Sequence, residues 1–509
     1  MSSGTFLNPG SGRRAPGSAH VGLAREMGLL GLVATGICSM IGAAINVIPF
    51  MIQRNVPGIG PFVLPAYLLA AVPAVLAALA YAILASAMPR AGGSYVYASR
   101  ALSPYLGFVA SFSQWFGLSI AIGVVSYVLV PFLRDIAAAL GQQGLASLLD
   151  TGTVRLALAL AFLWTFVAVN LRGVGAYQHT LVPLMLLMFL LGAVVIVAGF
   201  SFNHAEFTAA VLAREGRAVP PSARPGFSLG VFLPASALLF SSFIGFDSIA
   251  QAGGEARNPG RSLPLAIGIA VAVVGAFYFL FTAAVYHAVP WSYVAEQAAS
   301  RDLTAPGLLG YLLPPAWTVA IVAGAAVSLT NDLPAMILAV SRLMFAWAED
   351  GIFPAAVARV HPRWRTPHVA IVLSGLMASL GILGSHLARD FFLGVDILVT
   401  SMLVNYLLMC VSVLVLPARN PKIAAEVRVL PSRRVQVPLA VAGAIVLGGF
   451  LAVHLWRDLV APARAWYFRS TPVWIVVMAA ATAIYARELA RLRRRGVDVR
   501  AIFSALPPE

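Results

Sequence analysis

An aspartate set among small polar residues inside an apolar stretch is the first chemistry this chain offers. From Leu238 to Ala256 it reads LLFSSFIGFDSIAQAGGEA. The stretch is apolar enough for hydrocarbon, yet Ser241, Ser242, Gly245, Asp247, Ser248, Gln251, Gly253 and Gly254 loosen a helix through its middle and second half. Backbone freed by a broken helix cannot face lipid, where unsatisfied N–H and C=O groups are costly, so it must line a protected cavity. The plainer alternative is a kinked packing helix whose small residues allow close approach. A carboxylate at this depth either pairs with a cation or spends part of its time protonated. The second behaviour would make Asp247 a proton carrier; otherwise it is a structural hydrogen-bond acceptor.

Two further stretches hold similar groups. GICSMIGAAINVIPF, from Gly36 to Phe50, is interrupted by Gly36, Ser39, Gly42, Ala43, Ala44 and Asn46, with Pro49 following. Small-residue packing is its plain reading, but a break here would create a half-helix N-terminus, whose free N–H groups and positive dipole end suit a carboxylate. SLTNDLPAM, from Ser328 to Met336, carries Asp332 beside Thr330 and Asn331. The i, i+4 spacing sets Ser328 and Asp332 on one helix face, with Asn331 one turn from Ser328; Pro334 loosens the helix beyond.

The elements that must position these groups follow from composition. The 509 residues are 60% hydrophobic and 10% charged, with mean hydropathy +0.87, outside the range of soluble domains. Apolar runs long enough to cross about 30 Å of hydrocarbon lie near 28–52, 60–88, 103–133, 154–171, 177–200, 231–256, 263–289, 316–348, 367–387, 391–416, 436–456 and 470–488. The chain is therefore an all-α polytopic membrane protein of twelve spans. Residues 1–27 and 489–509 read as cytoplasmic tails, the first without the apolar core of a signal peptide. An even span count puts both termini on one side, and that side carries the larger share of the arginines, among them Arg359, Arg363 and Arg365. Both termini are thus expected in the cytoplasm, with the protein in the plasma (inner) membrane.

The net charge of +15 belongs first to these loops, and no basic patch with interleaved aromatics points to nucleic acid. Cys38 and Cys410 lie within apolar runs and read as core packing. The histidines are scattered at span ends and loops, so neither a metal site nor an enzymatic constellation is expected. No cofactor is implied, no protein partner is evident, and membrane lipid is the surrounding medium. Loops 201–230 and 290–315 fall on the outer side; the second has room for a short amphipathic helix on the surface.

The broken stretches occupy the first and sixth spans. If the first ten spans are two sets of five, 28–200 and 231–416, these places correspond, and an odd count per set inverts the second relative to the first. Spans eleven and twelve, 436–488, follow.

Long ordered segments then carry a resemblance. PRAGGSYVYASRALSPYLGF (Pro89–Phe108), FIGFDSIAQAGGEARNPGRSLPLAI (Phe243–Ile267) and SRLMFAWAEDGIFPAAVARVHPRWRTPHVAI (Ser341–Ile371) resemble the corresponding segments of amino acid-polyamine-organocation permeases. The resemblance implies the LeuT-type fold, a 5+5 inverted repeat with broken helices one and six plus two C-terminal helices. It also implies secondary transport of amino acids or related amines, coupled to protons or, in some relatives, to sodium. In such permeases both breaks hold the substrate, which carries over here to Ile41, Gly42, Ala43, Ala44 and Ile45, and to Phe243, Ile244, Gly245, Phe246 and Asp247. Tyr95 matches a tyrosine that helps close the site, and Gln114 is expected to line the same cavity. Phe243 and Phe246 are either a lid or packing residues.

Three departures stand out. Gly42-Ala43-Ala44 replaces the usual Gly-Ser-Gly or Gly-Thr-Gly, so a hydroxyl and a glycine are missing, which keeps an amine substrate open beside an α-amino acid. Ser241 stands where some members have a gating Trp. Several proton-coupled members place a Lys from span five near span eight; here Met188 takes its place. The expected coupling set is therefore Asp247, Ser328, Thr330, Asn331 and Asp332, with Asp332 supplying what the Lys does elsewhere, or else acting as a capping acid. Glu255, Arg257, Arg261, Arg342, Glu349, Asp350 and Arg363 are candidates for an inner ion-pair gate or for solvated loop charges. A transport-dead receptor of the same fold is the rival reading.

Overall fold

A computed structural model describes residues 22–221, 225–388, 391–461 and 465–507. The expected N-terminal tail lies outside the described residues as far as residue 21. Twelve helical spans follow: Leu29–Asn55, Gly60–Ala87, Pro104–Ala139, Gly152–Leu171, Val174–Ser201, Leu229–Gln251, Pro259–Ala288, Pro315–Glu349, His368–Leu387, Leu393–Arg419, Arg433–Val460 and Ser470–Arg494. Among the described residues there is no strand beyond the isolated bridges Met27 to Ala256 and Ala91 to Ala252.

Local sequence explains how the long spans begin. Pro104, Pro259 and Pro315 open spans three, seven and eight, where a missing N–H costs nothing and the fixed φ suits the first turn. Ser103 caps span three by accepting from the Leu106 N–H at 3.2 Å. Span three runs six residues past the expected end, to Ala139, because Arg134 and Asp135 do not stop it: Arg134 bonds both Asp135 and Asp150 where the helix leaves the apolar slab. At 1.5 Å per residue it is about 54 Å long.

Spans one, three, six, eight and ten form the buried centre, while spans four, five, seven, nine, eleven and twelve present more of their surface outward. Cys38 and Cys410 are buried free thiols. Loop 201–230 contains a helix, His204–Glu215, started by an Asn203–Glu206 capping box. Loop 290–315 holds the helix Trp291–Ser300, which packs over the end of span one with Tyr293 buried, so it covers protein as well as facing out. Phe207 packs edge-on against Tyr293 and Tyr311, joining the two loops. The Tyr311 hydroxyl, then Arg217, hold the Glu215 carboxyl below its ordinary range. A lowered folded pKa gives a contribution that is complete at neutral pH and lost as pH falls through that value. Protection factors of the His204–Glu215 amides, taken against intrinsic exchange at each pH, are therefore expected to hold through mild acid and to fall only once pH drops below the ordinary glutamate range.

The described segments that flank the first and last spans are less free than their composition suggests. Met27 donates its N–H to Glu255 O at 2.9 Å and accepts from the Arg257 N–H at 2.8 Å, while Leu23 packs with Ala91 and Phe345. After span twelve a helix at Val499–Ser504 docks back. The Arg100 guanidinium lies 5.0 Å from the Phe503 ring centroid and donates to Ala505 O at 3.1 Å.

Candidate functional site

Two breaks meet at the centre. Span one stops at Met40, passes through Ile41 in extended backbone and through Gly42 in an irregular conformation, and resumes as the half-helix Ala43–Asn55. Span six runs to Leu239, tightens over Phe240–Phe243, opens at Ile244, and turns back into a short helical segment at Ser248–Gln251. Gly245 sits at φ +136, a region that L side chains rarely enter. A Cβ there would come 2.2 Å from Ser39 O. Only glycine lets the two unwound segments touch.

The groups freed by unwinding find partners across the breaks. Tyr278 donates to Met40 O at 2.6 Å, and the Ser39 and Ser248 hydroxyls share a 2.8 Å bond. At Gly42 the neighbour is Asp332: an added Cβ would fall 1.4 Å from its Oδ2. The carboxylate of span eight thus occupies the notch in front of the half-helix Ala43–Asn55. The side chains of Ala43 and Ala44 lie outside the described residues.

Asp332 also lines a cavity of about 60 Å³ bounded by spans one, three, six, eight and ten, several times what one water needs. Its other polar groups are Ser39 and Ser241; the remaining walls are mainly aliphatic, including Ile48, Val124, Ile244 and Met336. Val124 also lines a far-side vestibule of about 750 Å³ that holds Arg54, Tyr127, Arg134, Asp150 and Arg155. The cavity and the vestibule therefore share a wall.

Asp247 is elsewhere. It is fully buried, accepts from Tyr406 OH at 2.5 Å and from the Gln114 amide, and anchors a polar network on the terminus side of the breaks. Asn405 donates to Tyr81 OH at 2.7 Å and to Gln114 Oε1 at 3.2 Å; Gln251 donates to Ser94 Oγ at 2.8 Å. Phe246 stacks on Tyr406 at 4.9 Å, and Phe243 packs against Tyr67 and Tyr278. Tyr95 is buried beside Arg100, whose guanidinium lies 5.9 Å from its ring centroid.

The expected coupling residues of span eight do not share one set of neighbours. Ser328 and Asp332 face the break of span one: Asn46 donates to Ser328 Oγ at 3.1 Å, and Ser328 donates to Ala325 O at 2.8 Å. Asn331 faces span five, its amide 3.9 Å from Met188 Sδ. Thr330 bonds back to Ala326 O at 2.7 Å. Between spans one, five and eight lies a niche of about 10 Å³ lined by Ile41, Ile45, Asn46, Met188 and Ser328 among others.

Two buried ion pairs lie on the terminus side. Arg342 reaches Glu255 at 2.5 and 3.2 Å, and Arg100 reaches Asp350 through both guanidinium nitrogens, one at 2.9 Å. Arg100, like Tyr406, Asn405 and Tyr81, is absent from the sequence-derived candidates. An arginine in SYVYASRALSP has no local mark that separates a buried ion-pair residue from a loop charge. Among the described residues no cluster of His, Cys, Asp and Glu fits a metal.

Comparison with known proteins agrees with this architecture. The amino acid permease family model matches residues 27–481. The chain belongs to the amino acid permease family. It is similar to a branched-chain amino acid permease of Bacillus subtilis, 25% identical over 94% of this chain and 96% of the relative. It is also similar to cationic amino acid transporter 4 of Mus musculus, 28% identical over 72% of this chain but only 56% of that longer protein. A low-affinity putrescine importer of Escherichia coli is 25% identical over 72% of this chain and 76% of its own. The permease is a multi-pass membrane transporter, not an enzyme.

Proposed function

We propose that this permease is a secondary active transporter that carries an amino acid or a related organic amine by alternating access, with protons as the coupling ion. It works in the plasma membrane with both termini cytoplasmic, its first ten spans forming two inverted halves, 28–200 and 231–416. The observation that carries the reading is the asymmetry about the breaks. A central cavity shares Val124 with a wide far-side vestibule, while the Asp247 network and two buried ion pairs occupy the side of the termini. Such a site accepts cargo from one side and releases it only after the other side parts. The amino acid and putrescine transport named for the relatives supports both substrate classes.

Asp332 is the proposed coupling acid. Its carboxylate is buried at membrane depth in front of the half-helix Ala43–Asn55, where taking up and giving back a proton would change the charge of the site. The niche where sodium-coupled relatives bind their ion is lined here by Met188 and mainly apolar side chains, with Asn46 and Ser328 as its polar lining residues and no carboxylate among them, a poor match to the oxygen-rich shell a hard cation prefers. The test is uptake into proteoliposomes under a proton gradient and, separately, a sodium gradient, for wild type and Asp332→Asn. Proton-driven accumulation that disappears in the variant is expected. A strict sodium requirement, or unchanged accumulation by Asp332→Asn, would overturn the assignment.

Asp247→Asn is expected to slow uptake and flatten its pH profile. The new amide can accept from Tyr406, but its NH₂ then faces the Gln114 donor, and turning Gln114 would set its NH₂ against Asn405. Wild-type rate and pH profile in this variant would make Asp247 a structural acceptor.

A further inference from the structure

We infer that the cargo of the central cavity is a mono-ammonium compound with a short aliphatic body and no carboxylate, held by Asp332. The inference rests on reading that cavity as the transport site and goes further by naming the class of ligand. A half-helix N-terminus favours one negative charge, and here the chain's own Asp332 carboxylate occupies the notch at Gly42. A cargo carboxylate entering the same notch would meet a like charge at contact distance, and the lining residues of the cavity include no basic side chain to offset it.

What the cavity offers instead is the counterpart of an ammonium. Asp332 supplies charge, and the Ser39 and Ser241 hydroxyls supply further acceptors. Ile48, Val125, Ile244, Met336 and Leu398 provide the apolar walls for a short alkyl chain. A second ammonium, as in a diamine, would find no second carboxylate among the lining residues. The site therefore discriminates twice, by repulsion against acids and by an unpaired charge against diamines.

The test is calorimetric titration of the full chain in detergent with three probes: 3-methylbutylamine; L-leucine, the same skeleton with a carboxylate added; and 1,4-diaminobutane, which has a second ammonium. The monoamine is expected to bind at least about tenfold tighter than either of the others, and Asp332→Asn to lose about tenfold or more of that binding. Equal or tighter binding of leucine or the diamine to wild type overturns the inference, as does the absence of monoamine binding. The order measured on wild type decides even where the variant fails to fold. A separate arm measures protein-dependent accumulation of labelled 3-methylbutylamine in proteoliposomes at mildly acidic pH, where the amine is almost wholly the ammonium, with protein-free liposomes as the leak control. Binding without accumulation would sink the transporter reading while leaving the ligand class intact.

Discussion

Gly245→Ala will abolish accumulation in proteoliposomes. The added methyl group meets two obstacles that share no remedy. At φ +136 an L side chain carries a backbone penalty of about 1–3 kcal/mol. Its Cβ would also overlap the Ser39 carbonyl, 2.2 Å away, and backbone cannot swing aside as a flexible side chain can. Relief requires spans one and six to separate, which breaks the Ser39–Ser248 bond and spoils the wall of the central cavity. At about 1.4 kcal/mol per factor of ten, strain and overlap together lower uptake roughly a hundredfold or more. Gly268→Ala in span seven is the control, since nothing lies within 4 Å of its added Cβ. Equal uptake by the two variants, with both monodisperse in detergent, would show that the contact between the breaks is soft.

The second large effect is on stability and belongs to the Arg342–Glu255 pair. Both side chains are essentially inaccessible, at 2% and 0% exposure, so neither charge has water to fall back on. Glu255→Gln leaves Arg342 buried without its counter-charge, a change that costs about 3–5 kcal/mol. Arg342→Met does the same to Glu255. The double variant Glu255→Gln/Arg342→Met removes both charges and is expected to recover most of the lost thermal stability, because a neutral replacement of a buried pair is often tolerated. Melting curves of the three variants in detergent check this. A double variant as unstable as the worse single one would mean that the pair's burial is not the source. The recovered protein should also leak substrate toward the side of the termini, since one of the two buried ion pairs on that side would be gone.

Much of this was legible in the chain itself. A span announces itself by length, because about 30 Å of hydrocarbon requires roughly twenty apolar residues in a row. A break announces itself by glycines, serines and a carboxylate where lipid tolerates none. Both signals are local, so the twelve spans and the interrupted first and sixth among them could be read without any contact. Where the spans end was less legible: span three overran its expected boundary because Arg134, Asp135 and Asp150 satisfy one another. The terminal segments read as tails partly because their buried anchors, Leu23 and Phe503, are single residues in polar runs.

Which side chains meet was decided by tertiary structure. The i, i+4 spacing of Ser328 and Asp332 established that they share a face, but not that the face meets Gly42. Gln114 and Asp247 were both candidates, yet their mutual bond, and Tyr406 as the third member, depend on how spans three, six and ten are rotated. Tyr95 was a candidate to close the site, and only the packed helices show that Arg100 is its neighbour. In a soluble helix an apolar stripe reveals the buried face. In these spans lipid and protein interior are equally apolar, so hydrophobic pattern carries no such information. Rotation is set by small-residue contacts such as Gly245 on Ser39 and by hydrogen bonds between distant spans. Those pairings exist only once the helices have packed.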